Sequence, residues 1–173
     1  MSISEFEKFL EQYEKDIYSF CRHLAMDSDI GWELYQETAL AAFEMRGKIN
    51  LESNPKSLLL SIAAGKWKNM RRKAARRQDI APEVQLDLAW NAAEKSTTES
   101  EAERKQRNRI ICKALSEIKD KFRIPLILHY FDDMPTEAIG RVLKIPAGTV
   151  KSRLFKGREL LKKSLTKEGI SYG

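Results

Sequence analysis

Apolar side chains recur at helical spacing from the start of the chain. Phe6, Phe9, Leu10, Tyr13, Ile17, Phe20 and Leu24 fall on one side of a wheel turning about 100° per residue. Ser4, followed three positions later by Glu7, offers a capping box that would open this first helix. Met26-Asp27-Ser28-Asp29 interrupts the stripe with residues whose side chains cap helices. A second helix is therefore predicted from Ile30 to about Arg46, with Leu34, Thr38, Ala41, Ala42 and Met45 turned inward. Gly47 to Pro55 reads as a loop. A third helix is predicted from Lys56 to Gln78, apolar in its first half (Leu58, Leu59, Leu60, Ile62, Ala63) and basic in its second. Period-two alternation bounded by turn residues is absent, so the expected fold class is all-α.

The pattern lapses between residues 79 and 103, where Pro82, acidic residues and the run Lys95-Ser96-Thr97-Thr98-Glu99-Ser100 replace it. Such composition predicts a flexible acidic linker. Two small helical domains follow from this, residues 1–78 and 104–173. Helical spacing in the second predicts elements at about Arg104 to Ile118, Phe122 to Phe131, Thr136 to Leu143 and Ala147 to Leu165. Pro125 falls within one of them, where a missing N–H predicts a late start or a kink. The pair at 136–143 and 147–165, joined by Lys144-Ile145-Pro146, has the form of a helix-turn-helix. Ile139, Val142 and Leu143 are placed to meet Ile145, Val150 and Leu154, and Gly140 permits close backbone approach.

The last helix separates its residues by chemistry. Val150, Leu154, Gly157 and Leu161 form one narrow stripe, while Lys151, Ser152, Phe155, Lys156 and Glu159 lie opposite. Cations, a hydroxyl and an aromatic ring near a helix start are what a recognition helix carries into a DNA major groove. The free N–H groups near Gly148 and Thr149 suit a phosphate. A net charge of +6 and a pI near 9.3 over 173 residues agree with a nucleic-acid partner.

Other classes find little support. Cys21 and Cys112 are far apart and outside any CxxC pair, which suggests neither a zinc site nor a disulfide framework. His23 and His129 fall in different domains among apolar residues. No carboxylate cluster with metal spacing, glycine-rich phosphate loop or nucleophile elbow is visible, so neither enzyme activity, cofactor, metal nor small-molecule substrate is expected. The N-terminus shows no leader pattern, and the longest apolar run, Ser57 to Ala64, is too short to span a bilayer; the expected location is cytoplasmic.

Three stretches carry a family resemblance. "IKDKFRIPLILHYFDDMPTEAIGRVLKIPAGTVKSRLFKGRELLKKSL" (Ile118 to Leu165), with its "GTVKSRL" helix, resembles region 4 of bacterial sigma factors of the extracytoplasmic-function (ECF) group of the sigma-70 family. "ELYQETALAAFE" (Glu33 to Glu44) resembles region 2.2 of that group, and "SLLLSIAAGKWKNMRRKAARR" (Ser57 to Arg77) resembles regions 2.3 and 2.4. The order is the family's, with the linker in between.

The resemblance implies an alternative sigma factor that binds core RNA polymerase and directs promoter-specific initiation. It implies polymerase docking by Glu33, Gln36 and Glu37, which share one helix face at spacing i, i+3, i+4. For the −10 element and strand opening it implies Lys66, Trp67, Lys68, Arg71, Arg72, Lys73 and Arg76, cations for phosphates with an aromatic for a base; by its own position Trp67 fits half-buried packing as well as stacking. The family's base-trapping loop corresponds to Gly47 to Pro55. A tryptophan common in this region is Leu58 here, and an asparagine implicated in base capture is Gly65.

For the −35 element the implied base contacts are Lys151, Ser152, Phe155 and Lys156, with Thr149, Arg153 and Arg158 toward phosphates. The implied partners are core polymerase, promoter DNA and an anti-sigma factor, usually anchored in the membrane, which would hold the chain at its inner face. The alternative is a stand-alone helix-turn-helix regulator. Against it stands the first domain, whose basic and acidic helices have no evident use in a simple repressor.

Overall fold

The computed structural model describes residues 1–77 and 100–169, and they are helical: α1 (Ile3–Ala25), α2 (Ser28–Glu44), α3 (Pro55–Arg76), α4 (Glu101–Ser116), α5 (Asp120–Tyr130), α6 (Thr136–Leu143) and α7 (Ala147–Lys167). No strand occurs among the described residues. They fall into two units, one built from α1 to α3 and the other from α4, α5, α7 and the start of α6. Residues 79–99 of the linker predicted at 79–103, the end of the third helix at Gln78 and the last four residues lie outside the described residues.

In the first unit the capping box sits one half-turn earlier than expected. Ser2, not Ser4, accepts from the Glu5 N–H through Oγ at 3.2 Å, and Glu5 Oε2 accepts from the Ser2 N–H at 2.6 Å. The S-x-x-E spacing occurs twice in succession, and the outer copy wins because it adds helix without exposing more backbone. Phe6, Phe9, Ile17, Phe20 and Leu24 are buried as predicted. Asp27 Oδ1 accepts from the Ile30 N–H at 2.9 Å, so α2 begins at Ser28, two residues before the predicted start. Gly31 lets α2 cross α1 closely: a Cβ there would stand 2.8 Å from the Arg22 Cα.

A single 3-10 turn (Arg46–Lys48) interrupts the predicted loop. Asn54 then accepts from the Ser57 N–H at 3.2 Å with Pro55 at the first helical position, starting α3 one residue early. Leu59, Leu60, Ala63 and Ala64 are buried, closing a core against α1 and α2.

His23 lies in this unit, and burial together with the neighbouring Arg22 charge pushes its imidazole down from 6.5 to about 4. The native state therefore holds His23 neutral while the unfolded chain takes up a proton below its ordinary value. The stabilisation is complete above the unfolded pKa and is lost as pH falls from there through the folded value. Thermal unfolding followed by the fluorescence of buried Trp67 is expected to show declining stability across this window. His23→Gln is expected to flatten that slope.

In the second unit α4 begins at Glu101, within the predicted linker. Ser100 caps it by accepting from the Glu103 N–H at 3.2 Å, so residues 101–103 are helical. Helix α5 also begins earlier than predicted, at Asp120, and continues through Pro125. The lost N–H bond is offset by burial: Ile124, Leu126, Ile127 and Leu128 are between 0% and 2% exposed. Beneath them Arg123, 2% exposed, donates to Asp120 Oδ1 at 2.9 Å. Helix α6 has its predicted limits, and α7 runs two residues past its predicted end.

Candidate nucleic-acid interface

Helix α7 shows the separation read from its sequence. Val150, Leu154 and Gly157 of the predicted stripe are buried and Leu161 is only half-buried, with Leu165 buried one turn further on, whereas Lys151, Ser152, Phe155, Lys156 and Arg158 are exposed. Phe155 is 63% exposed, a large apolar ring that no packing requirement places in water. Thr149 and Arg153 are half-buried at the edges of this face. Ser152 Oγ donates to the Thr149 carbonyl at 3.0 Å, and Lys156 stands 3.7 Å from Glu159 with both side chains 55% exposed. A pair so exposed contributes little and leaves the ammonium free to change partners.

The elevation of this helix is set by the turn before it. The Ile145 N–H donates to the Gly140 carbonyl at 3.0 Å, and a Cβ on Gly140 would lie 2.7 Å from the Ile145 carbonyl oxygen. Pro146 precedes α7 without a side-chain cap, so the first N–H groups of the helix have no side-chain acceptor at that position. Ile139 and Val142 are buried in α6, while Leu143 and Ile145 are only half-buried.

In the first unit the last residues of α3 and the capping Arg77 are all exposed from Arg71 onward, so the helix end stands clear of its own core. Lys68, Arg71, Arg72, Lys73 and Arg76 all belong to this exposed cationic end or its approach. Lys66 is half-buried and pairs with Glu37 of α2 at 3.9 Å. Trp67 departs from the expectation of a base-stacking ring. It is 6% exposed because Leu60, Ala63, Ala64 and Trp67 continue one apolar stripe, and the Arg71 guanidinium lies over it at 5.5 Å. Leu58 is half-buried, and Gly65 is exposed with nothing within 4 Å of where a Cβ would be.

Glu33, Gln36 and Glu37 are exposed together along α2, as the spacing required. The sequence reading missed two apolar neighbours on that surface, Leu40 at 54% and Trp32 at 45% exposed. Leu40 follows Glu33 by seven residues and Glu37 by three, a spacing that could have flagged it. Trp32 stacks on Tyr35 at 5.3 Å and meets the edge of Tyr18 at 5.6 Å, so the ring is braced while part of it remains bare. Among the described residues no group of three or more potential metal ligands gathers, and no helix is long and apolar enough to cross a membrane.

Two helical units, one ending in an exposed cationic helix and the other carrying a helix-turn-helix with an exposed face of cations, a hydroxyl and an aromatic ring, have the form of a DNA-binding protein. Comparison with known proteins names the family. Residues 9–77 match "Sigma-70 region 2" and residues 109–161 match "Sigma-70, region 4", in that order. The ECF RNA polymerase sigma factor SigM of Bacillus subtilis is 24% identical over 95% of this chain and 97% of its own. SigW of the same organism is 46% identical over 48 residues, 28% of this chain and 26% of its own. The solved structure of the sigma factor RpoE in complex with the anti-sigma factor NepR from Bartonella quintana shares the fold. Its TM-score is 0.73 at 21% identity, covering 95% of this chain and 98% of that one. The chain belongs to the sigma-70 family, as a sigma factor of the ECF group.

Proposed function

We propose that this protein binds bacterial core RNA polymerase through the α2 face and directs it to promoters whose −10 and −35 elements are held by α3 and α7. The observation that carries this reading is the presence of both regions in family order, each with its cationic surface exposed in its own unit. Glu33, Gln36 and Glu37 are the docking carboxylates and amide, and exposed Leu40 adds an apolar contact to them. Lys66, Lys68, Arg71, Arg72, Lys73 and Arg76 neutralise phosphates near the −10 element, which makes binding strongly salt-dependent. With Trp67 packed inward, base capture falls to the segment before α3, Gly47 to Pro55. Binding the opened strand more tightly than the duplex shifts the equilibrium toward the melted state. The phosphodiester chemistry belongs to the polymerase.

On α7, Lys151 and Lys156 donate to guanine edges, Ser152 to several bases, and Phe155 contacts a thymine methyl, while Thr149, Arg153 and Arg158 hold phosphates. Lys156→Ala is expected to cost about 1–3 kcal/mol of discrimination between promoter variants, measured by competition with polymerase present. Equal loss on every sequence would reduce Lys156 to a phosphate clamp. An anti-sigma factor, of the kind in the RpoE–NepR complex, restrains the protein; where it is membrane-anchored it holds the chain at the cytoplasmic face.

The stand-alone regulator is disfavoured by the region 2 match over residues 9–77. The deciding experiment mixes the purified chain with bacterial core polymerase and a promoter library. Selective transcripts from a subset of promoters are expected. A tight operator complex without polymerase, and no transcript with it, would replace this function by the regulator.

A further inference from the structure

Tyr130 closes α5 with its ring 49% exposed. Its ring meets the edge of His129 at 4.9 Å and 84°, and His129 is fixed through Nδ1, 3.0 Å from the Met134 carbonyl oxygen. The phenolic oxygen accepts a hydrogen bond from Arg158 Nη1 at 2.9 Å, across 28 positions of sequence. Arg158 follows Lys151 by seven residues and Phe155 by three, so it occupies the same flank of α7 one turn beyond the base-facing residues. That flank meets a groove wall, which is made of phosphates, when the start of the helix reads base edges.

We propose that Tyr130 is a positioning residue for Arg158, holding the guanidinium at the edge of the reading face so that the two side chains together grip one DNA phosphate. This rests on α7 being the DNA-reading helix. An arginine on a long stem loses rotamer freedom when it binds an anion, and a side chain already held in place has less to lose. The phenolic oxygen is the acceptor in this bond, so its own proton stays available to a phosphate oxygen. Arg158 keeps further N–H donors for the same anion, and bonds from a guanidinium to a phosphate are charge-assisted.

The test uses the full chain and a labelled mixed-sequence DNA duplex, since a phosphate contact needs no particular bases. Affinity is measured across a salt series for the wild type, Arg158→Ala, Tyr130→Phe and the double variant. Arg158→Ala is expected to weaken binding and to lower the slope of log affinity against log salt by about one. Tyr130→Phe keeps the ring and the net charge, so the expected result is a loss of about three- to tenfold with the slope intact. Added to Arg158→Ala it is expected to cost much less than it does alone, because only its own bond to the phosphate is then left to lose. Wild-type affinity for Tyr130→Phe, or losses that multiply in the double variant, would overturn the positioning role while leaving α7 as the reading helix. An unchanged slope and affinity for Arg158→Ala would overturn both.

Discussion

Gly140→Ala is expected to displace α7 and to lower promoter binding by at least tenfold. In the middle of an exposed helix this substitution normally stabilises, by about 1 kcal/mol, because alanine is the better helix former. Here the added methyl would stand 2.7 Å from the Ile145 carbonyl oxygen, a backbone atom with no rotamer to escape into. The turn itself must move, and overpacking of this kind costs roughly 1–3 kcal/mol. Because residues 144–146 set where α7 begins, the shift travels directly to Lys151 and Ser152. Gly65→Ala is the internal control, since nothing lies within 4 Å of its added Cβ and α3 is expected to gain stability. Thermal unfolding and DNA affinity measured together decide the matter. A Gly140→Ala protein that is more stable than wild type and binds DNA unchanged would show that the turn accommodates the methyl.

The second large effect concerns Asp120. Its Oδ1 accepts from Arg123 at 2.9 Å, and Arg123 is 2% exposed. A guanidinium cannot shed its proton to avoid the low-dielectric interior. Asp120→Ala therefore removes a counter-charge from a buried cation, at a cost on the order of 3 kcal/mol. It also removes an acidic group from the first turn of α5, where the helix dipole favours one. For a small helical unit this corresponds to a fall in melting temperature of about 10 °C or more. The double change Asp120→Ala with Arg123→Met is expected to recover much of the loss, because a neutral side chain of similar length needs no counter-charge. If the double variant is no more stable than the single one, the ion pair is not what the site depends on.

Hydrophobic period made most of the helices legible, and it worked best where one side of a helix is buried throughout. Helix α6 and the start of α7 have the predicted limits, and the exposed face of α7 separates from its core stripe by helical spacing alone. Boundaries slipped where two cap signals compete: Ser2 with Glu5 beat Ser4 with Glu7, and Ser100 with Glu103 extended α4 into residues that composition assigned to a linker. Pro125 misled because its local cost is visible in sequence and the burial that offsets it is not. Trp67 lay at the junction of an apolar stripe and a cationic run, and the stripe claimed it. The bond from Arg158 to Tyr130 joins residues on different helices, so no local pattern announces it.

Under the proposed function, the division of α7 into a buried stripe and a bare face means that folding and target choice are set by different residues of one helix. Substitutions at exposed Phe155 and Ser152 are expected to change the melting temperature little, while the buried positions keep the helix at a constant height and angle. A library randomised at those two positions, selected on altered upstream hexamers, would yield initiation factors of redirected preference on an unchanged frame. The same helix thus offers a route to mutually insulated gene circuits drawn from a single parent chain.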